Sequence, residues 1–229
     1  MIDSGEFDAF VRAAGVDVWG AAACPATPWP CAPALPVALS LGMRLEPGII
    51  APVEAGPTPE YFAEYTRLKG ALNAAADAVA GYLCEQGAAA VTVPSTVDAD
   101  PGVIDWSDAR VFAHKTAATQ AGLGWIGKTA IFVSREYGPW IRLTTVFTDA
   151  ELPTGEPITE GRCGGCRRCV DACPAGAGRD VTWRAGMPRD ELLDAVACER
   201  QNAANIPTVG DICGVCLAVC PFGRRLLPG

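Results

Sequence analysis

Seven of the chain's eleven cysteines fall in two runs, Cys163-x2-Cys166-x2-Cys169-x3-Cys173-Pro174 and Cys213-x2-Cys216-x3-Cys220-Pro221. No other feature of the sequence restricts its fold as tightly. A C-x2-C-x2-C-x3-C-P run is the spacing that wraps a [4Fe-4S] cube: three thiolates come from one tight loop, and the fourth reaches the neighbouring cluster. Two runs therefore point to two cubes. The second run is one thiol short, because Gly210 stands three positions before Cys213. Cys198 is the unassigned cysteine near enough to complete it. The expected quartets are Cys163, Cys166, Cys169 and Cys220 for one cluster, and Cys173, Cys198, Cys213 and Cys216 for the other. Paired CxxC is also zinc spacing, but the doubled x3-C-P endings favour iron and sulfur. A disulfide framework ranks lower still, because 229 residues can build a core without staples.

Half the residues are hydrophobic, enough for one substantial domain and a small appendage. The apolar stretches are short and broken by Pro and Gly, so no membrane span is expected. Free thiols and oxygen-sensitive clusters suit a reducing compartment, and the expected location is cytoplasmic. The net charge is -8 and unevenly spread: residues 1–134 hold 7 basic and 14 acidic residues, and residues 135–229 hold 11 and 12. An acidic body repels polyphosphate, so nucleic acid ranks low as a partner.

Along the chain, Asp3 or Ser4 can cap a first helix with Phe7, Phe10, Val11 and Ala14 on one face. Val16 to Ala22 and Val37 to Met43 read as strands, separated by a proline-rich loop whose Cys24 and Cys31 read as packed thiols. Pro59 to Gln86 is the longest helix, with Tyr61, Phe62, Tyr65, Leu68, Leu72, Ala76, Val79 and Leu83 as its core stripe. Ala88 to Val93 returns as a strand, and a helix spans Asp108 to Gln120. Two strands follow the glycine turn, Thr129 to Ser134 and Trp140 to Phe147, joined by Arg135 to Pro139 as a hairpin. A last helix, Arg189 to Gln201, bears Cys198. The domains expected are 1–158 and 159–229.

Gly122-Leu-Gly-Trp-Ile-Gly127-Lys128-Thr129 matches the phosphate-loop pattern and also contains G-x-G-x-x-G. Both motifs need a strand before the loop and a helix after it, so that a helix N-terminus meets the phosphates. Here helix precedes and strand follows, which excludes ATP or NAD at this loop. The glycines serve either a buried turn against a neighbouring strand or close approach of a large flat cofactor.

Ala121-Gly-Leu-Gly-Trp-Ile-Gly-Lys128, the apolar strand after it, Thr148-Asp149 and the cysteine pattern with Cys198 displaced together resemble epoxyqueuosine reductase, and most closely its short double-cluster relatives. The similarity covers roughly Val37 to Phe222. That family is related to the reductive dehalogenases, and the resemblance implies an α/β, nitroreductase-like domain of the cobalamin-binding type followed by a small ferredoxin-like two-cluster domain. It implies cobalamin as second cofactor, bordered by Gly124, Trp125, Phe132 and Pro139, with flavin as the alternative. The family's proton-donating aspartate, in a D-x-x-P-V-L-E-R stretch, matches Asp108 when counted back from the glycines. Val111 replaces the proline and His114-Lys115 replace Glu-Arg, so the substrate side of the pocket differs. No helical-repeat region follows Cys220, and transfer RNA is therefore not the expected substrate.

Two clusters in one small domain form a wire for single electrons, which needs an acceptor. The resemblance implies reductive cleavage of a C-O or C-halogen bond in a small molecule, fed by an external donor such as ferredoxin or flavodoxin. Asp108 would be the acid, its pKa raised by burial, with Lys115 and His114 as further catalytic candidates. Arg110 and Lys128 read as solvated charges. The competing function is a non-catalytic electron carrier or reductive activator of a corrinoid protein.

Overall fold

The computed structural model describes residues 2–24, 35–96 and 112–228. Asp3 caps α1 (Ser4–Ala13), its carboxylate accepting from the Gly5 and Glu6 amides at 2.9 Å. Phe7 and Val11 are the buried face, and Phe7 meets Trp19 edge-on at 5.0 Å. β1 (Val18–Ala23) pairs antiparallel with β2 (Val37–Arg44), from Val18 opposite Gly42 to Ala23 opposite Val37. Every residue of β2 but Arg44 is buried, as a continuous apolar run inside a sheet should be. The short α2 (Pro47–Ile50) leads to α3 (Pro59–Glu85), whose buried positions include Tyr61, Leu68, Leu72, Ala76, Val79 and Leu83. Phe62 and Tyr65 of the expected stripe are half-buried, and Glu64 is buried beside them, held by Arg67 at 2.7 Å.

β3 (Ala90–Val93) pairs antiparallel with β6 (Ile141–Thr148), and the sheet order is β1-β2-β6-β3. Between them the chain forms α4 (His114–Gln120), β4 (Gly124–Ile126) and β5 (Phe132–Ser134). Helix thus precedes the glycine run and strand follows, the reverse of a phosphate loop. Two expectations are corrected here. The glycine turn itself holds a strand, β4, and β5 pairs with β4 in a separate two-stranded sheet rather than with β6. The 135–139 turn closes only the Ser134–Gly138 bridge, because Gly138, at φ +58°, redirects the chain before a hairpin can propagate. The expected helix start at Asp108 lies outside the described residues.

The cysteine-rich segment is built of short pieces: α5 (Arg168–Asp171), α6 (Ala195–Asn205), α7 (Val215–Ala218) and α8 (Pro221–Arg224). The expected helix at Arg189 is a separate 3-10 turn, Arg189–Glu191, and α6 begins afresh at its Asp194 cap. The chain groups into two compact units that alternate along the sequence. The first takes the stretch up to Met43, Leu68–Leu123 and Arg142–Ile158, and the second takes Arg44–Arg67, Gly124–Ile141 and the chain from Thr159 onward. One change of unit falls at the 158/159 junction. The second unit also recruits residues 44–67 and 124–141, which a division by linear position cannot anticipate. Among the described residues no helix is long and apolar enough to cross a membrane.

Candidate metal centres

Cys173, Cys198, Cys213 and Cys216 line one cavity of about 240 Å³ within the second unit, together with Tyr61, Tyr65, Thr129 and Leu193. Each thiol is delivered by a local device. Cys198 sits in the first turn of α6 behind the Asp194 cap, and the Cys173 sulfur accepts from the Ala177 amide at 3.4 Å. Gly214, at φ +82°, turns the chain from Cys213 into α7, where a Cβ would strike the Tyr61 ring. Burial pushes the Cys198, Cys213 and Cys216 thiols up, Cys216 to about 12, and negative charge on Cys173 and Cys213 adds to the rise at Cys198.

The other four form a second electrostatic group. The Cys166 amide donates to the Cys163 carbonyl at 3.1 Å in a tight turn, and α5 carries Cys169. Cys220 stands at the head of α8, where burial pushes its thiol up to about 11 against the pull of the Phe222 and Gly223 amides; Cys169 and Cys163 add to the rise. Cys169 is likewise pushed up by burial, then by Cys163 and Cys166. A Cβ on Gly127 would lie 3.8 Å from the Cys163 sulfur, so the glycine run backs this group. Among the described residues no three His, Cys, Asp or Glu side chains converge as on a single ion. Four thiols around the cavity of the first quartet suit a [4Fe-4S] cube, whose binding takes them as thiolates. The residues fit the group.

The four positions expected to border a corrin lie in the second unit. Trp125, Phe132 and Pro139 are buried, and Trp125 packs edge-on against Phe222 at 4.9 Å. Gly124 is closed against the Val133 carbonyl and the Phe132 ring, leaving no room for a Cβ. The glycine run thus packs as a buried turn against a strand, and the Trp125 indole N–H is buried with no hydrogen-bond partner among the described residues.

Lys128 is not a solvated charge. It is 5% exposed and its ammonium donates to Asp180 at 2.7 Å; Asp180 also pairs with Arg167. That partner lies far along the sequence, beyond the reach of local reading. In the first unit, His114 is half-buried with both ring nitrogens engaged, Nδ1 at 2.9 Å from the Thr145 hydroxyl and Nε2 at 2.9 Å from the Pro94 carbonyl. Burial pushes its pKa down to about 4, so it is neutral near pH 7. Lys115 follows it on α4 and is also half-buried. Asp108 and Arg110 lie outside the described residues. Sequence reasoning missed Tyr61 and Thr129 as cavity walls. Their only signal was proximity in the fold, since both read as ordinary core or turn residues.

Beside the α/β body, residues 156–177 of the cysteine-rich segment match the family described as "4Fe-4S binding domain". The curated proteins the chain resembles are epoxyqueuosine reductases. The epoxyqueuosine reductase of Lactococcus garvieae (strain Lg2) is 33% identical over 123 residues, 52% of this chain and 34% of that protein. That of Vibrio cholerae serotype O1 is 37% identical over 122 residues, 51% of this chain and 32% of that protein. The match thus spans about a third of these relatives' length. In fold the chain resembles the catabolic reductive dehalogenase NpRdhA (TM-score 0.75, 18% identity, 96% of this chain and 33% of that one). It also resembles a reductive dehalogenase described for B12-dependent dehalogenation (0.71, 19%, 96% and 32%). An epoxyqueuosine reductase solved with an epoxyqueuosine-modified tRNA stem loop matches at 0.64, with 17% identity, 96% of this chain and 65% of that one.

Proposed function

We propose that this chain is an iron-sulfur reductase whose two thiol quartets hold two [4Fe-4S] clusters. It passes single electrons from an external donor of the ferredoxin or flavodoxin class to an acceptor that cleaves a C-O or C-halogen bond. The observation that carries this reading is the cavity in which Cys173, Cys198, Cys213 and Cys216 meet from three separate segments. Eight thiols in two groups are what a two-cluster wire needs, and the one cysteine displaced from the usual spacing, Cys198, lies with its quartet.

The acceptor favoured by the dehalogenase likeness is cobalamin, which when bound would supply the low-potential chemistry of bond cleavage. The positions proposed to border it remain Gly124, Trp125, Phe132 and Pro139, of which Trp125 carries a buried indole N–H with no hydrogen-bond partner among the described residues. The chain's own contribution would be the proton. Asp108 is the proposed acid, and Lys115 would orient an anionic substrate. His114, neutral and engaged at both nitrogens, is the weakest of the three as a donor. The average-charge argument against nucleic acid loses force beside a relative solved with a tRNA stem loop. Charge is local, and residues 159–229 hold nine arginines against eight acidic residues. A small molecule remains the proposed substrate, with a modified tRNA stem loop as the competing one to assay.

The test is anaerobic purification and reconstitution, iron analysis, and visible spectra with and without added cob(II)alamin and flavin. About eight irons per chain and two reduced-cluster signals are expected, with spectral change on adding cob(II)alamin alone. About four irons, or a response to flavin only, would overturn the reading. Two clusters without response to either cofactor would favour the carrier.

A further inference from the structure

Thr129 directly follows the buried Lys128, is itself 4% exposed, and lines the cavity of the Cys173, Cys198, Cys213 and Cys216 quartet. Its hydroxyl is buried with no hydrogen-bond partner in the protein. A buried, unpaired hydroxyl costs stability, and proteins keep one where something else completes it. Its setting is fixed from behind: a Cβ on Gly178 would lie 3.1 Å from the Thr129 methyl and 3.2 Å from a methyl of Val170, so the absent side chain lets the backbone seat the threonine closely. Val170 is the neighbour of Cys169 in α5. Thr129 therefore stands where the two quartets approach each other.

We infer that Thr129 is the residue that separates the reduction potentials of the two clusters, by donating its one hydroxyl proton to a ligand sulfur of a single cluster. The inference rests on the two-cluster reading. A hydroxyl has one O–H to give, and ligand thiolates only accept, so one cluster receives the bond and the other does not. One-electron reduction adds negative charge to a cluster, a donated hydrogen bond stabilises that charge, and the bonded cluster is the easier to reduce. Asp180 can only accept, and the Lys128 ammonium is drawn to it at 2.7 Å.

The experiment is a dithionite redox titration of the reconstituted full chain, followed by electron paramagnetic resonance, for wild type, Thr129→Val and Thr129→Ser. Val keeps the shape and removes the proton; Ser restores the proton. With both clusters present, Thr129→Val should make one cluster about tenfold harder to reduce, about 59 mV for one electron, and leave the other in place. Thr129→Ser should return it towards wild type. The inference is overturned if neither potential moves, if both move together, or if Ser fails to rescue. If Thr129→Val loses iron, Thr129→Ala takes its place, and loss of iron from both would make the residue structural and end the proposal. Absence of two clusters from the wild type would instead defeat the underlying two-cluster reading, so the two failures are told apart.

Discussion

His114 is the chain's one histidine, so its titration can be followed without assignment. The Pro94 carbonyl can only accept, which places the proton of the neutral ring on Nε2 and leaves Nδ1 to accept from Thr145. A second proton would turn Nδ1 into a donor facing the same hydroxyl, in a site that already disfavours charge by burial and by the nearby Arg142 guanidinium. The pKa falls from 6.5 to about 4 in consequence. At 1.36 kcal/mol for each tenfold in proton affinity, the gap amounts to about 3 kcal/mol. The folded pKa lies below the unfolded one, so between pH 6.5 and 4 the unfolded chain binds a proton that the folded chain refuses. Stability contributed by neutral His114 is complete above pH 6.5, declines as pH drops through this window, and is lost below about pH 4. The direct assay is carbon-13 NMR of the imidazole in the oxidised protein from pH 8 to 3.5, with an expected midpoint near 4. In urea unfolding, the stability gap between wild type and His114→Asn should shift by about 3 kcal/mol between pH 7 and pH 4. A midpoint near 6.5 would refute the account, since neither burial nor Arg142 would then be acting on the ring.

Cys198→Ala should halve the iron and leave one reduced-cluster signal, whereas Cys24→Ser and Cys84→Ser should keep the full complement; unchanged iron in Cys198→Ala would break the quartet assignment. Gly214→Ala should cost about 1–2 kcal/mol for its left-handed backbone alone and more for the clash with Tyr61, measured as urea stability. Measured against Tyr61→Ala alone, Gly214→Ala should cost only the backbone part, and no cost there would show that the backbone penalty is absent. Asp108→Asn should keep both clusters and lose ~10²–10⁴-fold in turnover once a substrate is in hand; full turnover would place the acid elsewhere.

What local pattern encodes was readable from the sequence. The α3 stripe emerged from three- and four-residue steps and the Asp3 cap from side-chain chemistry, because each is written within a few turns of chain. The pairing of β5 was not, since three-residue strands carry no period and their partner is decided by where Gly138 bends the backbone. Lys128 was misjudged for a similar reason: its partner Asp180 is supplied by tertiary structure, which also supplies the Thr145 and Pro94 contacts that occupy His114. The glycine run was legible as close packing, but which surface it packs against was not.

The alternation of the two units sets a limit on modularity. The stretch from Thr159 onward contains all eight cysteines of the two quartets, yet Tyr61, Tyr65 and Thr129, which wall one of their cavities, are encoded some thirty to a hundred residues upstream. Cut out as a fragment, residues 159–229 would keep every sulfur and lose part of the vessel that holds them. Exchange of this cysteine-rich unit between relatives would have to move three stretches of gene together, and a graft at the obvious 158/159 seam would carry the cysteines without their walls.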